Sequence, residues 1–232
     1  TPLRDLLVAS GVDRDLISVM SNGVDTERFH GRREAGDAVR RKYGLDGQRV
    51  VGFVGWIREW HGLEDLVSGM AHWPDGLSDV HLLIIGDGPA REAIESAALT
   101  SGVANRVHIT GAVAHAQIVE YLAAIDVALQ PAATSYASPM KLFEYLAMAK
   151  PVVAVDQQNT REILEEGRNA LFFPPGDRAA FVSAVQEIFS DQQRLEQMSA
   201  QARRAIFERG YLWEVNAKRV VEIARRCIAA ER

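Results

Sequence analysis

Short apolar segments and amphipathic stretches alternate along most of this chain, and that alternation restricts it to one broad architecture. Runs rich in Val, Ile and Leu at 17–20, 50–54, 81–85, 107–109, 127–130, 152–155 and 170–172 read as strands buried on both faces. Between them, 35–43, 62–71, 90–101, 117–124, 139–149 and 161–165 carry helical periodicity. Such βα units with short links predict an α/β fold, a Rossmann-like doubly wound parallel sheet of about six strands with helices on both faces. From Arg178 onward the pattern is purely helical, with Asp177 as a cap and breaks near Ser190, Asp191 and Gly210. A last helix over 213–229 completes a C-terminal helical tail.

Composition narrows the function classes. A chain of 232 residues with net charge −5 can bury a full core, and its acidity argues against a nucleic-acid partner while leaving room for a local basic pocket. Its single cysteine, Cys227, excludes an intramolecular disulfide and a Cys-rich metal site, which fits a reducing compartment and a cytoplasmic location. No apolar run approaches the roughly 18–20 residues needed to span a bilayer; a peripheral membrane contact stays open. The first residue is Thr1, and 2–10 reads as the end of a helix already under way, so the chain is expected to be a fragment or a processed form.

In a doubly wound sheet, ligands bind beyond the carboxyl ends of the strands. The most informative such loop leads from the 127–130 strand into SPMKLFEYLA. Ser138 followed by Pro139 is an N-cap and first-turn pairing, which would leave the N–H groups of Met140, Lys141 and Leu142 facing an anion. Lys141 adds positive charge. Glu144, one turn deeper on the same face, can accept hydrogen bonds from two neighbouring hydroxyls. An anion at the helix end and a diol one turn in describe a nucleotide's pyrophosphate and ribose; the plainer alternative is an ordinary crossover helix that starts with Ser-Pro.

The loop after 50–54 reads GWIREWHG. Gly52 and Gly55 are expected to permit tight turning and close approach to a ligand, and Arg58 and His61 to present two donors to phosphate. The bland alternatives are a solvated charge for Arg58 and a helix cap for His61. Trp56 and Trp60 either stack on a ring or pack at an interface. In GDGPARE, residues 86–92, the glycines predict tight backbone and Asp87 a turn residue or ligand contact. The motif is not GxGxxG, which disfavours a nicotinamide dinucleotide. In GAVAH, residues 111–115, the backbone of Ala112 and Val113 can meet a planar base, and His115 reads as a helix cap.

With these stretches in view, the chain resembles the carboxyl-terminal, donor-binding domain of retaining glycosyltransferases of the GT-B fold, group 1 or family 4. The resemblance rests on 19–29, 51–67, 82–92, 106–131, 138–155 and 160–177, in order and in register. It implies one half of a GT-B fold and a nucleotide diphosphate sugar as donor substrate, UDP-sugar by default, with no metal and no further cofactor. Glu144 would hold the ribose; Ser138, Pro139, Met140, Lys141 and Leu142 would cradle the diphosphate, with Gly55 and Val113 also against the donor. Arg58 and His61 would act catalytically, neutralising the leaving diphosphate.

The same resemblance exposes departures. The family's paired glutamates would put the first at Tyr136, so the usual carboxylate on the donor sugar is absent. His61 stands for a commoner lysine, and Trp56 occupies a frequent arginine position. The resemblance also implies a domain division: 1–16 a remnant of the preceding domain or linker, 17–210 the nucleotide-sugar-binding domain, and 211–232 a helix that crosses back to an N-terminal acceptor-binding domain missing from this chain. Without that surface, the apolar positions Val215, Val220, Ile223 and Cys227 predict self-association or a relocated tail. The fragment alone is expected to be inactive. A nucleotide-sugar epimerase, a phosphorylase and a nucleotide-binding pseudoenzyme are the competing readings.

Overall fold

The computed structural model describes residues 1–30 and 33–230. Its centre is a six-stranded parallel sheet in the order β3-β2-β1-β4-β5-β6, formed by β1 (Arg49–Val54), β2 (Val80–Ile85), β3 (Val107–Ile109), β4 (Val127–Gln130), β5 (Val152–Val155) and β6 (Ala170–Phe173). The helices are α1 (Pro2–Ala9), α2 (Asp37–Tyr43), α3 (Leu63–Gly69), α4 (Arg91–Thr100), α5 (Ile118–Ala124), α6 (Met140–Ala147), α7 (Gln158–Arg161), α8 (Arg178–Ser190), α9 (Gln192–Glu208) and α10 (Trp213–Ala230). This is the doubly wound arrangement expected.

Alternation along each strand sends side chains to two separate cores. Val50, Ala128, Val152 and Ala154 face α2, α5, α6 and α9 on one side. Val51, Phe53, Leu82, Ile84 and Val153 face α3, α4 and α8 on the other. Strands buried on both faces need apolar residues at nearly every position, which is why they were readable as runs. The helical tail is punctuated as expected: the Asp177 side chain accepts from Ala180 N–H at 2.9 Å to start α8, and Asp191 accepts from Gln193 and Arg194 N–H to start α9.

The strand order reverses between β1 and β4. Their pairing covers only Val51↔Val127 and Gly52↔Ala128, so beyond Gly52 the two strands no longer bond to each other. That opening at the carboxyl edge is the topological switch point at which open α/β sheets bind ligands. The freed N–H of Val54 is taken by the hydroxyl of fully buried Tyr145 in α6, at 2.8 Å. One buried hydrogen bond therefore fixes the helix that follows β4 against the end of β1.

Several expectations are corrected. Residues 17–20 form no strand; the first backbone pairing after them is the isolated Val24–Leu212 bridge, with Val24 N–H on the Tyr211 carbonyl, outside the six-stranded sheet. The helix expected at 161–165 is the single turn α7, started earlier because the Thr160 hydroxyl accepts from Gln157 N–H. Gly52 makes no turn. It lies inside β1, where a Cβ would come within 2.3 Å of the Ile125 side chain, so its role is close packing.

Candidate functional site

Two loops border the crevice, 55–62 after β1 and 131–139 after β4, and a third, 86–90 after β2, braces the first. Gly55 N–H bonds to the Ile85 carbonyl at 3.0 Å and Ile57 N–H to the Asp87 carbonyl at 2.7 Å. A Cβ on Gly86 would meet the Gly55 oxygen at 2.0 Å, and one on Gly88 the Ile57 oxygen at 2.2 Å. The glycines of GDG thus allow two backbones to touch. Arg58, Trp56 and Trp60 are exposed on the rim of this braced loop.

His61 is buried, packed edge-on to Phe53 and against Trp60, with Nδ1 accepting from Arg58 N–H at 3.1 Å. Burial first, then the Lys141 charge, push its pKa down to about 4. Of the donor roles open to His61, the cationic one is therefore absent at neutral pH. With Nδ1 accepting, the proton sits on Nε2, and the imidazole can serve as a neutral donor.

The helix end also differs from expectation. Pro139 occupies the N-cap of α6, and Ser138 does not cap it. The Leu142 N–H bonds back to the Pro139 carbonyl at 3.1 Å, so of the three amides expected to face an anion only those of Met140 and Lys141 lack a protein acceptor among the described residues. Ser138 and Met140 are exposed, and Leu142 is fully buried.

Lys141 turns back toward β1. Its Nζ lies 3.8 Å from the centre of the Phe53 ring, and a side chain at Gly55, whose φ is +144°, would come within 3.1 Å of it. Burial lowers its pKa to about 7 despite the opposing pull of Glu144. The full positive charge expected there is thus only partial at neutral pH. Glu144 stands one turn on; burial raises its carboxyl above the usual carboxylate range, and Arg28 and then Lys141 pull it back down. A lysine and a carboxylate held poorly solvated beside a helix end can interact with ligand groups of opposite character, an anion at the lysine and hydrogen-bond donors at the carboxylate.

Among the described residues no three His, Cys, Asp or Glu side chains are grouped to hold a metal ion. Residues 48–191 match the family model described as glycosyl transferases group 1. The chain belongs to the group 1 glycosyltransferases. It is 29% identical over 185 residues to a 2-deoxystreptamine N-acetyl-D-glucosaminyltransferase of Streptomyces fradiae, covering 79% of this chain and 44% of the relative. It is also 29% identical over 213 residues to a GDP-mannose-dependent alpha-mannosyltransferase of Mycobacterium tuberculosis, covering 91% and 51%. The chain thus spans about half the length of the curated relatives it matches. In three dimensions it superposes on Anabaena Alr3699/HepE, solved with UDP-glucose, at a TM-score of 0.84 and 20% identity over 96% of this chain and 61% of that one. The C-terminal domain of the group 1 family protein LpcC from Francisella tularensis superposes at 0.66 and 17% identity, over 80% of this chain and 97% of that one.

Around the residues singled out in the sequence, this group 1 chain places others that sequence reasoning missed. Asn22 donates to both the carbonyl and the hydroxyl of Ser138 at 3.2 Å. Asn159, buried, donates to the carbonyls of Thr134 at 3.0 Å and Ala137 at 2.7 Å. The 131–139 loop is therefore held at both flanks by amides. Arg28 donates to the His115 carbonyl and bears electrostatically on Glu144, joining the 111–115 loop to the helix. Val113 packs its side chain partly into the core, and Tyr136 is 67% exposed at the top of the loop.

Proposed function

We propose that this chain is the donor-binding half of a retaining glycosyltransferase, which transfers a sugar from a nucleotide diphosphate sugar to an acceptor. The observation that carries the reading is the placing of Lys141 and Glu144, both poorly solvated, on the first turns of α6 at the point where the sheet order reverses. The amides of Met140 and Lys141, the Lys141 ammonium, the exposed Arg58 and the Nε2–H of His61 supply donors for a diphosphate. Glu144 accepts from the ribose hydroxyls. The GDP-mannose-dependent relative and the fold neighbour solved with UDP-glucose support a nucleotide-sugar donor; they differ in base, and uridine is taken as the default only from the family resemblance.

As the glycosidic bond breaks, charge accumulates on the leaving diphosphate. Groups preorganised around it stabilise the transition state more than the ground state, and removing one such donor commonly costs on the order of 3 kcal/mol. Arg58 and His61 hold that catalytic role in this reading, with no metal required. Residues 17–210 form the donor unit, and the acceptor and remaining catalytic groups come from an N-terminal domain in the intact cytoplasmic enzyme. Calorimetry with UDP tests the assignment. Glu144→Ala loses charge-assisted bonds to the diol, each worth about 1.5–3 kcal/mol, so affinity should fall at least tenfold. UDP binding by Glu144→Ala equal to that of wild type would sink the ribose assignment.

A further inference from the structure

A cavity of about 250 Å³ lies between α3 and α8, beyond the carboxyl ends of β4 and β6. Leu66, Trp73, Phe173 and Phe181 form its walls, with the Phe181 ring 5.1 Å from Phe173 and 6.3 Å from Trp73, centre to centre. At its edge Asp65 and Arg178 pair with each other at 2.6 Å, and the Asp177 carboxylate accepts from Ala180 N–H at the start of α8, which leaves the rim weakly negative. No buried polar side-chain atom that lacks a partner among the described residues belongs to the lining. An enclosed apolar void of about 150 Å³ is enough to hold benzene, and this cavity, which opens to solvent on one side, has room for a larger ring.

Gly69 gives the cavity its second argument. It is the last residue of α3, with right-handed helical φ of −68°, and a Cβ there would meet nothing within 4 Å. Neither the backbone nor a close neighbour requires glycine, which in a helix costs about 1 kcal/mol relative to alanine. What its missing side chain does is leave the cavity open. The base of the cavity is Gly62 with Pro131 and Ala132. Gly62 follows His61, and Pro131 and Ala132 begin the loop that ends at Pro139.

We propose that this cavity is a second binding site, for a small neutral aromatic molecule, and that its occupancy is transmitted to the donor loops through Gly62 and Pro131. The ring edges of Phe173 and Phe181 with the partly exposed Trp73 favour an aromatic occupant, and the rim, with Asp65 and Arg178 paired and the Asp177 carboxylate beside them, disfavours an anion. Only the transmission rests on the donor reading; the cavity stands without it.

Indole is the probe, titrated into the protein by calorimetry first without nucleotide. Saturable one-to-one binding is expected, weakened at least tenfold in Gly69→Phe, which fills the space, while the circular-dichroism melt stays cooperative. Val182→Phe, from the opposite wall, serves if Gly69→Phe does not fold. Absence of saturable binding, or binding untouched by the filling variants, overturns the site. Indole at saturation should then shift UDP affinity, and UDP should shift indole affinity by the same factor. One-for-one displacement of indole by UDP would put the ring in the donor crevice and overturn the proposal, and no mutual effect would overturn the transmission. A protein that binds indole as predicted and no nucleotide would separate failure of the donor reading from failure of this one.

Discussion

Lys141 is the residue whose behaviour departs furthest from its sequence appearance. An ordinary lysine is charged across the physiological range, but burial against Phe53 lowers this one to about 7. A diphosphate bound beside it stabilises the ammonium and raises that pKa, so above pH 7 binding must take up a proton. The sign follows: UDP affinity should fall as pH rises above 7, by up to about tenfold per pH unit until the bound-state pKa is reached. Calorimetry in buffers of different ionisation enthalpy would register the proton uptake. Lys141→Arg, whose charge does not titrate there, should abolish both the uptake and the pH slope. A slope that survives in Lys141→Arg would place the titrating group elsewhere. His61, held near 4, leaves that window clear.

Among the elements, α6 carries the site and also a repairable flaw. Its C-terminal end closes with Lys150 N–H on the Tyr145 carbonyl and Ala149 N–H on the Leu146 carbonyl, which puts Ala149 in the left-handed region at φ +55°. This is the post-helical position that glycine fills without strain. The left-handed form costs an alanine about 1–2 kcal/mol, and the looser unfolded chain of glycine returns part of that. Ala149→Gly should therefore stabilise the protein by roughly 0.5–1 kcal/mol, a rise in melting temperature of about 1–4 °C. A lower melting temperature would refute it.

The same helix marks what a sequence can and cannot disclose. Ser138, Pro139, Lys141 and Glu144 are neighbours in the chain, so local spacing alone brings them to one helix start. The strands were legible because burial on both faces forces continuous apolar runs, whereas 17–20 shows that such a run says nothing about whether a sheet edge is free to accept it. Asn22, Asn159 and Arg28 were not legible. Asn22 reaches Ser138 across 116 residues, and no local pattern announces a contact of that kind. The protonation of His61 and Lys141 was equally hidden, since it depends on how deeply the fold buries them.

For the whole molecule, the tail is the part left uncovered. On α10, Trp213, Val220, Val221 and Ile228 are 47–58% exposed, and on α1 Leu3 and Leu6 are 56% and 60% exposed. An apolar helix face of this kind drives association. The 232-residue chain should sediment above monomer mass at tens of micromolar, and Val220→Glu combined with Ile228→Glu should return it to monomer. Monomeric wild type at that concentration would remove the expectation. Among the described residues no helix is long and apolar enough to cross a membrane.

The bracing of the 55–62 loop by GDG divides the site into a fixed jaw and an adjustable one. With Gly86 and Gly88 pressed on the backbone of Gly55 and Ile57, any side chain gained at 86 or 88 would have to displace main chain, and no single replacement on the other side could make room. That jaw has a fixed backbone, with no substitutional freedom at 86 and 88 and with change confined to its exposed rim at Trp56, Arg58 and Trp60. The loop opposite hangs from two asparagine amides and presents Tyr136 to solvent, so its tip can change residue by residue while the fold stands. Changes of backbone shape around the crevice are therefore open on the 131–139 side only, which tells an engineer where loop length can be varied and where only rim side chains can be exchanged.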